Sequence, residues 1–271
     1  MDDYTKFHIN KKMCLLNKVV LEVQYDYGYT YLDHCGKTTN TILREYPEWI
    51  VRGEIPNPGN AGLVSLRNNC VLNFSPLNYL FLLDQEEGKP ISKDSCEEFI
   101  EQVKSISRLL HDNLSLKRFT RIGCRIFYFF NCSTKPEVEA WLKELGCYSY
   151  SPAFIKAFGN TVETTAMTIF IAGEDRMYRV AFNRIERNLP LELDQQILHI
   201  SPKSLSSDQR NMRKKRIQAL ELQRQNPDHA AMIDIDAFIE NPISIDPSQF
   251  AETSIKGFRD KLLQGIDKKD R

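Results

Sequence analysis

Hydrophobic and polar positions alternate along much of this chain, and the period changes from element to element. Over residues 18–27, Val19, Leu21, Val23, Tyr25 and Tyr27 fall on one side and Glu22, Gln24 and Asp26 on the other. Period two with β-branched and aromatic residues predicts a half-buried strand. Residues 39–49 predict a short helix or irregular cap, with Ile42, Leu43 and Tyr46 on one side and Pro47 limiting its length. Residues 52–62 are rich in glycine, proline and asparagine and predict a loop. Two short strands, 63–67 and 70–74, flank Asn68-Asn69, where asparagine's tolerance of positive φ suits a tight turn. A further apolar strand is predicted at 79–83.

The strongest helical period lies at 93–114. Cys96, Phe99, Val103, Ile106 and Leu110 form a stripe that Ile100 and Leu114 widen, and Ser92 or Asp94 can cap its start. The very apolar strand 121–130 follows. Thr134-Lys135-Pro136-Glu137 then reads as a capping box opening a short helix with Val138, Trp141, Leu142 and Leu145, closed by Gly146. Strands are predicted at 165–172 and 176–184, joined by Gly173-Glu174-Asp175, and another at 197–200. Residues 203–228 are polar and charged, a segment expected to be mobile. A strand at 232–238 and a helix at 247–266, with Ala251, Ile255, Phe258, Leu262 and Ile266 as its stripe, close the chain.

Strands and helices in this order predict an α+β fold: a curved, mainly antiparallel sheet packed against two long helices and built from two loosely similar strand-rich halves, 1–150 and 151–271. One domain over 1–271 is the expectation. Two subdomains divided near 147–159 are the alternative.

Composition narrows this picture little. The chain has 271 residues, 42% hydrophobic and 27% charged, and its 36 basic residues balance 36 acidic ones. That neutrality offers no global attraction to nucleic acid or an anionic membrane. No run approaches the roughly 18 apolar residues of a membrane helix, and the start lacks a secretory pattern. A cytoplasmic location is expected. Seven cysteines, an odd number partly in apolar patterns, argue against a disulfide framework.

Candidate chemistry is sparse. Arg121, Gly123 and Arg125 project from one strand face, with Phe127 and Phe129 beyond them. They read as a ligand site, two arginines holding a carboxylate or phosphate over an apolar floor, as a solvated sheet face, or as arginines paired with acids on a neighbouring strand. Asp234 and Asp236 share a face, and they read as ligands for a divalent cation, as solvated groups, or as partners of Arg121 and Arg125. Arg213, Lys214, Lys215 and Arg216 could contact phosphates, but no aromatic platform interleaves them, and a solvated helix or loop is the simpler reading. His34 and Cys35 invite a base-and-nucleophile pairing that adjacent strand residues, pointing to opposite faces, cannot make. No Cys-x-x-Cys spacing, nucleophile elbow, phosphate loop or dinucleotide fingerprint occurs, so no cofactor is expected.

Val71-Leu72-Asn73-Phe74-Ser75-Pro76, the helix at 99–110, Arg121-Ile122-Gly123-Cys124-Arg125 and Asp234-Ile235-Asp236-Ala237-Phe238 together resemble a sporadically distributed bacterial family of uncharacterised proteins. That family has an Arg-x-Gly-x-Arg strand after a long helix and a late Asp-x-Asp-x-Phe strand. Tyr128 stands where the family usually carries asparagine. The resemblance implies a single α+β domain in the cytoplasm and no known activity. The functional expectation is a binding or interaction protein using the sheet face, or the cavity between sheet and helices, to hold an unknown protein partner or small molecule. A homodimer is conceivable, while nucleic acid and membrane are disfavoured. The competing expectations are a metal-dependent phosphoester hydrolase or nuclease on Asp234 and Asp236, and a nucleic-acid-associated accessory factor.

Overall fold

The computed structural model describes residues 3–26, 30–52, 59–85, 89–146, 153, 156–157, 166–186, 229–243 and 245–266. Within them the strands are β1 (Lys6–Ile9), β2 (Lys12–Tyr25), β3 (Trp49–Val51), β4 (Ala61–Ser65), β5 (Cys70–Phe74), β6 (Asn78–Asp84), β7 (Phe119–Cys132), β8 (Ala166–Ala172), β9 (Met177–Glu186) and β10 (His229–Glu240). The helices are α1 (Thr30–Glu45), α2 (Lys93–Leu114), α3 (Lys135–Glu144) and α4 (Pro247–Ile266). The strands form one large sheet in the order β3-β4-β5-β6-β2-β7-β10-β9-β8, with β1 paired to β2 off this path. β2 pairs antiparallel with β1, β6 and β7, and β3 through β6 are antiparallel neighbours. Asn241 N–H donates to Thr120 O at 2.8 Å, joining the end of β10 to the start of β7, so these two also run antiparallel.

The chain divides into two compact units. One takes Met1–Phe130, Ala166–Phe182 and Met232–Arg271; the other takes Asn131–Thr165 and Asn183–Ala231. In the first, one sheet face is sealed. Val19, Leu21 and Val23 of β2, Leu72 and Phe74 of β5, Tyr79 and Phe81 of β6 and Ile122, Cys124 and Ile126 of β7 are all buried. Helix α2 contributes the whole expected stripe from Cys96 to Leu114 to this core, and touches α1 on one side and α4 on the other. Three helices therefore share the covered face where two were expected. In the second unit, α3 buries Val138, Trp141 and Leu142, and Glu139 pairs with Arg184 at 3.6 Å.

Local signals explain most element ends. Ser92 caps α2, accepting from Ser95 N–H, and Thr134 caps α3, accepting from Glu137 N–H. Gly146 follows α3 at φ 60, a left-handed conformation glycine adopts without steric cost. Asp246 accepts from Ser248 N–H at 2.8 Å at the start of α4.

Several expectations needed correction. Helix α1 begins at Thr30, well before the predicted 39, and stops before Pro47, which disfavours helical geometry at the preceding residue. Strands β1 and β3 were not anticipated. β1 turns into β2 through Asn10 and Lys11, both at positive φ, the geometry of a two-residue hairpin. Asn68 and Asn69, where positive φ was expected, are absent from the positive-φ residues. They use their side chains instead: Asn68 Nδ2 donates to Gln102 on α2 at 3.2 Å and Asn69 Nδ2 to Gln85 O at 3.1 Å. Ile266 is half-buried rather than core. The strand at 197–200 and the polar segment 203–228 lie outside the described residues.

Candidate functional site

The sheet face opposite the helices carries the charged residues singled out from sequence. Alternation along β7 sends Ile122, Cys124, Ile126 and Tyr128 into the core and turns Arg121, Gly123, Arg125 and Phe127 the other way. Along β10 the same rule turns Asp234, Asp236 and Phe238 to that face, while Ile233, Ile235 and Ala237 face the core.

The two sets meet. Arg125 donates from Nε to Asp234 Oδ1 at 2.7 Å and from Nη2 to Oδ2 at 2.6 Å. Arg179 on β9 adds Nη1 to the same Oδ2 at 2.8 Å. Arg121 donates from Nη1 to Glu22 Oε2 on β2 at 3.2 Å and from Nη2 to Asp236 Oδ2 at 3.0 Å. Asn78 Nδ2 holds the other Glu22 oxygen at 3.0 Å. Three guanidiniums and three carboxylates thus alternate across β2, β7, β10 and β9, and their formal charges cancel. One acid lies between two arginines, and one arginine lies between two acids.

Burial decides how firmly this ladder is held. Asp234 is only 1% exposed. A carboxylate so far from water is tolerated because charge-assisted donors, one pair of them bidentate, satisfy it. Burial pushes the Asp236 carboxyl above its ordinary value, with Arg121 and Arg125 pulling it back. Hydrogen bonding to Asp234 raises Arg125. Two rings complete the arrangement: the Arg121 guanidinium carbon sits 4.8 Å from the Phe238 ring centre, and that of Arg125 sits 4.6 Å from Phe127, within cation–π range. Gly123 makes room for Arg121. A Cβ at Gly123 would lie 2.7 Å from Arg121 Nη1 and 3.0 Å from its Cζ and Nη2, so the glycine lets the guanidinium lie back over its own strand.

Among the ligand candidates, Arg121, Arg125 and Phe127 are therefore neighbours, while Phe129 stands farther along β7, opposite Leu15. Asp234 and Asp236 meet the arginines. Among the described residues no group of three or more histidine, cysteine, aspartate or glutamate side chains is placed to hold a metal ion. Arg213, Lys214, Lys215 and Arg216 lie outside the described residues. His34 and Cys35 lie on α1 rather than on a strand, and adjacent helical residues do not face each other either.

Sequence reasoning missed Glu22, Arg179, Gly123 as a spacer, and Phe238. Phe238 was within reach, since it continues the i, i+2 face of the two aspartates. Glu22 and Arg179 were not, because a strand's sequence does not name the strand beside it.

Beyond the ladder the same face becomes apolar. The register lines up Ile50, Val64, Val71, Leu82, Val20 and Arg125 as direct neighbours across six strands, each at least partly exposed. A separate cavity of about 200 Å³ opens beside Tyr25, Asp26, Tyr31, Leu116, Lys117 and Arg118; neither Arg121 nor Arg125 lines it. No protein-family model and no curated protein matches this chain.

Proposed function

We propose that this protein is a non-enzymatic binding or interaction protein that holds a protein partner on the sheet face opposite its helices. The supporting observation is the apolar row Ile50–Val64–Val71–Leu82–Val20, which runs into the charged ladder at Arg125. Contiguous exposed apolar surface rimmed by polar groups is characteristic of interaction sites. An apolar row spread over five strands suits a macromolecular surface better than a small ligand, whose sites are concave. The ladder fixes the strands beneath that surface, since its charges are matched internally. The reading takes the sheet as curved around α2 and α4, and the two halves as loosely similar, each supplying several antiparallel strands and one long amphipathic helix. It keeps the resemblance to the sporadic bacterial family, whose two motifs here form the two sides of one ladder. Among the described residues, free thiols at Cys14, Cys35, Cys70, Cys96 and Cys124 agree with a reducing, cytoplasmic setting. No helix among the described residues is long and apolar enough to cross a membrane.

The metal-dependent hydrolase reading is weaker. A divalent cation at Asp234 and Asp236 would have to displace guanidiniums that already hold both carboxylates. The accessory-factor reading depends on residues 213–216 and gains nothing from the described face.

The test is affinity capture on the full-length protein, wild type against a Val71→Glu/Leu82→Glu double variant with matching circular dichroism. One protein retained by the wild type and lost from the variant supports the reading, as does hydrogen-exchange protection of β5 and β6 on adding that protein. Equal retention by both, with no protection on this face, overturns it. Heat released on titrating manganese, abolished by Asp234→Asn, would favour the hydrolase.

A further inference from the structure

The two ends of the sheet are built differently. β3 at one end has only three residues and follows Pro47 closely. β8 at the other end has seven, Ala166-Met167-Thr168-Ile169-Phe170-Ile171-Ala172, with no charge, no proline and no glycine. Its inner edge pairs with β9, to which it is tied by a tight hairpin with Gly173 N–H donating to Arg176 O at 2.9 Å. Its outer edge meets no described strand. Proteins protect such edges with short strands, inward charges, prolines, bulges or a covering helix or loop, and the seven residues of β8 carry no charge and no proline. Its side chains are uncovered on both faces as well: Ile169 is 39% exposed, Phe170 67% and Ile171 45%. Helix α4 reaches the start of β9 instead: Arg176, just before that strand, donates to Ser254 Oγ at 3.3 Å, and Lys261 Nζ sits 5.4 Å from the centre of the Tyr178 ring.

We propose that β8 is a dimerisation edge, pairing antiparallel with β8 of a second copy about a two-fold axis at Ile169, so that one sheet runs through both subunits. The occupant follows from the strand's own chemistry. A seven-residue edge spans about 23 Å, which three-residue β3 cannot cover. Identical edges related by a two-fold close on themselves, whereas a β8-to-β3 contact would propagate as a filament. The absence of charge means that self-pairing brings no like charges together. With Ile169 on the axis, Phe170 lies opposite Thr168 of the partner subunit and Ile171 opposite Met167 of the partner subunit. The added strand hydrogen-bonds the outer edge, which no described strand pairs, and covers apolar side chains on both faces. This surface is distinct from the Val71–Leu82 face, so the two proposals stand or fall separately.

Sedimentation of the full-length wild type over a concentration series should show a dimer. Ile169→Lys changes an exposed position and should leave the circular dichroism and melting of the subunit intact. It should weaken association by about a hundredfold or more, since the two lysines would meet on the axis. Independently, Ile169→Cys should oxidise to a covalent dimer. Directly opposed strand residues have Cα atoms about 4.5–5.5 Å apart, inside the range a disulfide spans. Ile171→Cys should not cross-link, because its copies would be about 14 Å apart along the strands. A wild type that stays monomeric, a dimer that survives Ile169→Lys, or cross-linking as efficient at 171 as at 169 would each overturn the proposal.

Discussion

Arg125 grips Asp234 through two parallel hydrogen bonds, Nε to Oδ1 at 2.7 Å and Nη2 to Oδ2 at 2.6 Å, and Asp234 is almost completely removed from water. Arg179 holds the same carboxylate. The energetic roles are unequal as a result. Asp234→Ala should cost about 2–3 kcal/mol in urea denaturation. That is below the roughly 3–5 kcal/mol of a broken buried pair, because water still reaches both partly exposed arginines. Arg125→Ala and Arg179→Ala should each cost less, since Asp234 keeps one partner. Single-arginine losses equal to the aspartate loss would contradict this ordering.

Gly123 is a spacer for Arg121 rather than a flexible joint. Gly123→Ala should destabilise by about 1 kcal/mol, because the new methyl displaces the guanidinium from Glu22 and Asp236. In an Arg121→Ala background the same substitution should be neutral or slightly stabilising, as alanine suits a strand better than glycine. The cycle is read from denaturation midpoints. A penalty that persists without Arg121 would place the conflict in the backbone.

His111 sets an acid limit on stability. Tyr79 and His111 lie 2.9 Å apart from Oη to Nε2, and His111 contacts Phe119 at 5.0 Å between ring centres. Desolvation holds its imidazole below the ordinary 6.5, against the opposite pull of Asp246 and Asp112. The unfolded chain therefore binds this proton first as pH falls. The contribution is complete above about pH 6.5 and is lost as pH drops through the lower folded value. His111→Gln should flatten the decline of the urea midpoint between about pH 7 and about pH 5. The comparison is made against wild type because Asp236, raised by burial, has the opposite slope on the carboxylate side. An identical decline in the variant would assign the acid sensitivity elsewhere.

The core thiols should be chemically silent. Burial pushes Cys14 and Cys96 up to about 12, and raises Cys70 and Cys124 as well, so little thiolate forms near neutrality. Iodoacetamide at mild alkaline pH should modify Cys35, the half-exposed thiol, ahead of these four. They should react only after denaturant is added. Peptide mass spectrometry that finds Cys124 alkylated in the native protein would show that the sheet opens under native conditions.

The legibility of this fold varied with the distance over which each signal acts. The α2 stripe, the Thr134 cap and the Gly146 stop are encoded within one or two helical turns, and each was read in place. β2 was read only from residue 18. Its alternation changes phase at a bulge between Leu16 and Lys18, with Cys14 and Leu16 buried before it and Val19 and Leu21 after it. An inserted residue of this kind restores the buried face but breaks the periodic pattern a reader follows.

The sequence by itself determined which residues of each strand share a face: Arg121 with Arg125, Asp234 with Asp236, and their apolar neighbours turned inward. That follows from the two-residue repeat of an extended chain, which is local geometry. Only the tertiary structure decided that those two faces meet, that Glu22 and Arg179 join them, and that a third helix shares the covered side. Strand neighbours are chosen by contacts more than a hundred residues apart in the chain, as between Arg121 and Asp236. No local pattern carries that choice.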